Sequence, residues 1–252
     1  EYLSAEPHAL RSHGLPSPQL AGPGRGLTKW FFYPGFTPDS GGLLREPDLL
    51  AARAAFERDA WLQAAGWPRR PGERVVVLFS YQHPGVCAWL TLLSAQPTLL
   101  LVPQGPAQDL VRGALGPALA VGGLRAVLLP WLAQSDFDRA LWSADLNIVR
   151  GEDSLVRALW AGAPFLWQLY PQHDGAQQRK LQAFLERWQA DDGVPAPAEV
   201  APWLVWWNAD GGETTPPWPP EQPWRDAVHG WRERLARQSD LTTRLIAFAV
   251  GK

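Results

Sequence analysis

The residues best placed to do chemistry lie in one run, DLNIVRGEDSLVRALWAGAPFLWQLYPQ, residues 145–172. An apolar strand-like stretch ends at Val149, a tight RGEDS turn follows, and a helical pattern begins near Ser154. With Asp153 or Ser154 as N-cap, the first turn of that helix keeps backbone N–H groups that have no intrahelical partner. A helix start of this kind binds phosphate through those donors and its dipole. Arg150, one turn earlier, can grip a diphosphate through two parallel N–H bonds. The same residues also make an ordinary capped strand–helix turn with an exposed arginine, and the residue pattern alone supports both readings.

A second constellation is Asp136-Phe137-Asp138. Two aspartates one residue apart can hold a divalent ion. In SDFDRALW, however, Ser135 can be an N-cap and Asp138 the acid three residues on, and acids favour a helix's first turn. The expectation is therefore capping and no metal. Other chemistries lack their signatures: the sequence has no G-x-S-x-G elbow and no G-x-x-x-x-G-K-[ST] phosphate loop. GPGRG at 22–26 follows no strand and contains proline, so it reads as a turn. The histidines (His8, His13, His83, His173, His229) have no metal-ligand spacing and read as surface or helix-capping residues.

What must position these side chains is legible between residues 75 and 190. Apolar, β-rich runs occur at VVVLFS (75–80), TLLLVP (98–103), LRAVLLP (124–130), LNIV (146–149) and PFLWQLY (164–170). Helix-like stretches fall near 85–95, 107–117, 135–143, 154–162 and 175–190. Strand–helix alternation with strands apolar on both faces predicts a parallel, doubly wound α/β sheet. Ligands bind such sheets beyond the carboxyl ends of the strands, here Ser80–His83, Pro103–Pro106, Pro130–Phe137, Arg150–Ser154 and Tyr170–Asp174. Residues 7–48 and 191–223 are rich in proline and glycine and read as connections. One long amphipathic helix is expected over Trp224–Val250. The divisions expected are 1–60 for the end of a preceding domain and a crossing, 61–215 for the nucleotide-sugar-binding domain, and 216–252 for a C-terminal helical segment.

Composition narrows the class. The formal net charge is −2 over 252 residues, which gives no general attraction to nucleic acid or anionic membrane. No apolar run nears the roughly 18 residues of a membrane span. EYLSAEPHAL at the start has neither a basic region nor an apolar core, so no signal peptide is expected. The single cysteine, Cys87, excludes an intramolecular disulfide and fits a cytoplasmic protein. Fifteen tryptophans are expected mainly in the core, since large aromatics bury much area. The absence of methionine and the opening on Glu1 suggest that the sequence is a piece of a longer protein.

The run RGEDSLVRALWAGAPFLWQLYPQ resembles the signature of the bacterial protein-arginine rhamnosyltransferases that modify translation elongation factor P. EYLSAE (1–6), HGLPSP (13–18), LTKWFFYPGFTPDSGGLLRE (27–46), FSYQ (79–82) and LPWLAQSDFDRALW (129–142) extend the resemblance over nearly the whole chain. It implies a GT-B glycosyltransferase, two Rossmann-like domains facing a cleft, of which this chain would be the C-terminal one, with most of the N-terminal domain absent. The implied activity is inverting transfer of rhamnose from dTDP-β-L-rhamnose to an arginine of elongation factor P, which activates that factor for ribosomes stalled at polyproline. No cofactor or metal is implied beyond the donor. Carried onto this sequence, Phe79 and Tyr81 line the nucleotide pocket, Trp131 and Phe137 hold the thymine, and Gln134 bonds its edge. Arg150, Glu152, Asp153 and Ser154 hold or flank the diphosphate and sugar. Trp131 departs from the phenylalanine expected at its position, though stacking survives the exchange.

The chemistry is demanding. Deprotonating an arginine at neutral pH costs roughly 8 kcal/mol, about six pKa units at 1.36 kcal/mol each. Carboxylates must therefore orient the guanidinium and take its proton as the bond forms. The family's proposed base lies in an N-terminal motif that this chain does not contain, which leaves Glu152 as transition-state support and a chain expected to bind donor without efficient turnover. Two other readings stay open: a GT-B transferase with another nucleotide sugar or acceptor, and a nucleotide-binding module without catalysis.

Overall fold

A computed structural model describes residues 11–172, 175–190, 193–209 and 214–251 of the chain. The EYLSAE match, His8, His173 and Asp174 lie outside the described residues. The expected α/β sheet is present. Its strands are β3 (Arg74–Leu78), β4 (Thr98–Val102), β5 (Ala120–Val121), β6 (Leu124–Leu128), β7 (Leu146–Arg150) and β8 (Phe165–Gln168), in the spatial order β5-β6-β4-β3-β7-β8. The pairs β6–β4, β4–β3, β3–β7 and β7–β8 are parallel, and β5 is an antiparallel edge. Apolar runs occupy the middle of the sheet because helices cover both faces: Val75–Leu78 and Leu99–Val102 are all completely buried.

Chain order runs outward from β3 through β4 to β6, then returns to β7 on the other side of β3 and continues to β8. The sheet therefore reverses between β3 and β7, where Val76 pairs with Leu146 and Leu78 with Ile148. A doubly wound sheet opens its ligand crevice at such a switch point, past the carboxyl ends of the two strands. This selects Phe79–Tyr81 and Arg150–Ser154 from the strand ends that the sequence offers.

The helices between the strands of the sheet are α3 (Val86–Leu93), α4 (Pro106–Leu115), α5 (Gln134–Ser143) and α6 (Gly151–Ala161); α7 (Ala176–Gln189) follows β8, and α1 (Leu49–Ala54) and α2 (Arg58–Ala64) precede β3. Residues 7–48 include a small hairpin, β1 (Pro16–Pro18) with β2 (Thr28–Trp30), and the GPGRG turn lies in its loop. The expectation for 191–223 needs correcting. That segment contains α8 (Val200–Asn208), whose Trp203, Leu204 and Trp207 are fully buried. Asn208 docks it on the end of β8 by accepting from the Leu169 N–H at 2.8 Å and donating to the Trp167 carbonyl at 2.6 Å. Prolines on either side masked a helix dense in tryptophan.

The expected single C-terminal helix is two, α9 (Glu221–Ala236) and α10 (Leu241–Val250). Asp240 separates them, because its carboxylate accepts the Thr243 N–H at 2.9 Å and so starts a new helix. α9 buries Trp224, Trp231 and Leu235, whereas α10 buries nothing. Trp231 stacks on Trp188 at 5.4 Å and meets Phe184 of α7 at 5.7 Å. The core is one cluster drawing on Phe36 and Leu43 before the sheet as well as on α9 after it. Tryptophans fill it as composition implied: Trp89, Trp160, Trp167, Trp203, Trp207, Trp224 and Trp231 are among the largest fully buried side chains. Among the described residues, no helix is long and apolar enough to cross a membrane.

His83 departs from its expected surface place. It is buried, stacked on Trp207 at 4.7 Å, and its Nδ1 accepts the Gly85 N–H while Nε2 donates to the Trp206 carbonyl. Burial lowers its pKa below the ordinary 6.5, more than the Trp206 carbonyl raises it. As pH falls below about 6.5, the unfolded chain therefore takes a proton that the folded protein refuses. Stability is full above that pH and is lost as pH falls towards the folded value. His13, lowered by burial and then by Arg244, acts in the same direction, so the test is a difference. The prediction is that the melting temperature falls between about pH 7.5 and pH 5.5 and falls less in His83→Gln. Equal losses in the two proteins would remove His83 from the account.

Candidate functional site

The site is built where β3 and β7 end. The Arg150 guanidinium lies over the Phe79 ring at 4.5 Å and the Tyr81 ring at 4.7 Å from their centroids. Both rings follow β3 and the arginine ends β7, so the switch point itself brings them together. Contact with two π-faces holds a long, rotamer-rich side chain in place. Phe79 also meets Phe137 of α5 edge-on at 5.2 Å, and Tyr81 meets Tyr170 at 5.6 Å. The Tyr81 N–H donates to the buried Gln168 side chain at 2.8 Å, which ties the loop after β3 to β8.

The helix start lies earlier than the sequence suggested. α6 begins at Gly151 with Arg150 in the cap position, so neither Asp153 nor Ser154 is its N-cap, and no side chain caps it. The reason is Gly151, whose φ of +70° makes a sharp strand-to-helix turn without an intervening loop. Trp167 of β8 fixes this turn by donating its indole N–H to the Gly151 carbonyl at 2.8 Å. Glu152, Asp153 and Ser154 thus occupy the first turn of α6, beside backbone donors that have no helical partner.

Two cavities flank the turn. One, of about 200 Å³, is lined by Gln134, Phe137, Asp153 and Ser154 together with Leu44 and Glu46 of the segment before α1. The other, of about 230 Å³, is lined by Gly151, Glu152, Tyr170 and Lys180 among others. Glu152 faces Lys180 at 3.3 Å. Burial lowers the pKa of the Lys180 ammonium. Of the residues expected at a nucleotide site, Phe79, Tyr81, Phe137 and Arg150 touch one another, and Gln134, Phe137, Asp153 and Ser154 share a cavity. Trp131, just before α5 in the chain, is 76% exposed.

Asp138 is not a capping acid. α5 begins at Gln134 after Ala133, so Ser135 is not its N-cap, and Asp138 points inward and is buried. It takes both Nε and Nη2 of Arg157 on α6, the Nε bond at 2.7 Å, and accepts Gln134 Nε2 at 3.0 Å. Arg157 Nη1 in turn bonds both oxygens of Glu46, at 3.0 and 2.7 Å. Burial alone would lower the Arg157 pKa, but these two carboxylates outweigh it and raise it above the ordinary value. Asp136, the other member of the D-x-D pair, bonds Arg139 at 2.9 Å. Among the described residues no group of acids, histidines or cysteines is arranged to hold a metal ion.

Sequence reasoning missed Glu46, Arg157 and Lys180. Arg157 carried a signal, a lone charge within the apolar run Leu155–Ala161, which a helix buries only with a partner. Lys180 carried none, since its neighbour Glu152 is 28 residues away.

This arrangement defines an α/β domain of the doubly wound parallel class, with an aromatic- and arginine-lined crevice at its switch point. The chain belongs to the elongation factor P (EF-P) rhamnosyltransferase family EarP, whose model matches residues 1–250. It is 44% identical to a protein-arginine rhamnosyltransferase of Pseudomonas aeruginosa over 98% of this chain and 69% of that protein. It is 34% identical to the protein of the same name in Shewanella oneidensis, over 98% of this chain and 68% of that one. A solved structure describing EarP-mediated arginine glycosylation of translation elongation factor EF-P superposes with a TM-score of 0.72 at 36% identity, covering 88% of this chain and 76% of the other.

Gly151 gives a direct test of the turn. An added Cβ would meet the Tyr81 hydroxyl at 3.6 Å, an ordinary contact, so the cost of Gly151→Ala is the backbone conformation. We expect about 1–2 kcal/mol less stability in urea unfolding. Unchanged stability would show that Gly151 does not hold a left-handed conformation in the folded protein.

Proposed function

We propose that this chain binds the nucleotide-sugar donor of an inverting GT-B glycosyltransferase, and that the reaction moves rhamnose from dTDP-β-L-rhamnose to an arginine of elongation factor P. The observation that carries this reading is the Arg150 guanidinium set on Phe79 and Tyr81 beside the uncapped start of α6, in a family of EF-P rhamnosyltransferases. Relatives at 44% and 34% identity bear the name protein-arginine rhamnosyltransferase, and the superposing structure concerns arginine glycosylation of EF-P. In this reading the reaction is cytoplasmic, because its acceptor is a translation factor.

In this reading the diphosphate lies at the start of α6, held by its free N–H groups and by Arg150. Phe79, Tyr81, Trp131 and Phe137 surround the nucleotide, and Gln134 bonds the edge of the base. In-line attack by the acceptor nitrogen on the anomeric carbon breaks the bond to the diphosphate and inverts the centre. Negative charge grows on the departing diphosphate, where Arg150 and the helix start stabilise it. Positive charge grows on the sugar and on the attacking guanidinium. The proton that the nitrogen loses passes to a carboxylate base that this reading assigns to the other domain, while Glu152, with Asp153 and Ser154 beside it, answers the charge on the sugar. Asp138 and Asp136 are already engaged by Arg157 and Arg139, which supports donor binding without a metal ion.

The test is calorimetric titration of the chain with dTDP, UDP and GDP, with Arg150→Ala alongside. Saturable binding that favours dTDP is expected, weakened roughly tenfold or more in Arg150→Ala, as losing a charged hydrogen-bond donor worth about 1.5–3 kcal/mol requires. Equal affinity of the two proteins for dTDP would move the phosphate site away from the Arg150 turn.

A further inference from the structure

Gln134 opens α5 at an exposed position and lines the cavity that Phe137, Asp153 and Ser154 share. One turn further on, the Asp138 carboxylate is fixed on three sides, by Arg157 Nε and Nη2 and by Gln134 Nε2. Glu46 holds Arg157 from the opposite side. A carboxylate paired with a guanidinium is ionised and can only accept hydrogen bonds. Gln134 must therefore turn its nitrogen towards Asp138, and it cannot flip its amide without setting one oxygen against another. Its carbonyl oxygen and second N–H are left in a fixed order for a ligand.

That order matters to a pyrimidine. Uracil and thymine present an N3–H donor beside a carbonyl acceptor at position 4, whereas cytosine presents an N3 acceptor beside an amino donor. With the diphosphate anchored at the α6 start, the base edge arrives in one direction, and a locked amide matches one polarity and opposes the other. We infer that Asp138 is a positioning residue that fixes the Gln134 amide for a 4-oxo pyrimidine nucleoside diphosphate, with Arg157 and Glu46 holding Asp138 in turn. This rests on the donor-binding reading above.

Nucleotides differing only at that edge, dUDP and dCDP, give the measurement. Their affinities are compared by titration in the wild-type chain, Asp138→Asn, Gln134→Ala and the double variant. An asparagine at 138 can donate or accept, so Gln134 can then turn either way, while Arg157 keeps Glu46 as a partner. Asp138→Asn is expected to cut the dUDP-to-dCDP preference roughly fivefold or more, as loss of a matched bidentate base contact does. In the Gln134→Ala background it should change the preference no further. Gln134→Asn, at an exposed position that does not threaten folding, is one methylene too short for both partners and should lose the preference equally. An unchanged preference in Gln134→Asn, or an Asp138→Asn effect that persists without Gln134, overturns the inference while leaving the donor reading in place. If the wild-type chain binds neither these nucleotides nor dTDP, the donor reading fails and the inference fails with it.

Discussion

The reversal of the sheet between β3 and β7 is the constraint on which the rest of the site depends. Right-handed crossovers send the helices that follow two such strands to opposite faces, so no helix closes over the ends of both. Loops and helix starts converge there instead: Phe79 and Tyr81 after β3, and Arg150 with Gly151 at the end of β7. Trp167 on the neighbouring β8 then secures the β7 turn through the Gly151 carbonyl. Moving β7 to the other edge of the sheet would separate the arginine from both rings while leaving every local sequence signal intact.

A second layer of organisation links the crevice to the segment before the sheet. Glu46, Arg157, Asp138 and Gln134 form one chain of charged and polar contacts from that segment through α6 to the start of α5. Buried ion pairs contribute little net stability, because desolvating the charges offsets their attraction. What this one supplies is a fixed geometry, since neither Asp138 nor Arg157 has another low-energy place to put its charge. Arg45 reinforces the same junction by donating to the Ala236 and Gln238 carbonyls at 2.9 and 3.1 Å, which attaches the segment to the end of α9.

Much of the fold was legible in the residues, and the reason is burial. The strands of a two-faced sheet must be apolar throughout, so all five parallel strands stood out within two residues of their ends. The strand-to-helix turn at RGEDS was also readable, because an apolar strand followed by a helix start bearing an arginine is a local feature. Proline-flanked α8 and the break at Asp240 were not, since breakers and caps say where a helix can end and not what it packs on. Nor was the helix start at Gly151 readable, where a left-handed glycine replaces the side-chain cap that the composition of the turn suggested.

The sequence by itself therefore determined the class of fold, the dense tryptophan core and the strand-to-helix turn that carries Arg150, because each follows from local periodicity or from a side chain's own chemistry. Tertiary structure alone decided which strand ends form the crevice, that Arg150 rests on Phe79 and Tyr81, and that Asp138 faces Arg157 rather than solvent or a helix start. These depend on pairs 19 to 71 residues apart, Asp138 with Arg157 and Phe79 with Arg150. Such distant contacts leave no periodic trace in the sequence and form only when the sheet order brings their elements together.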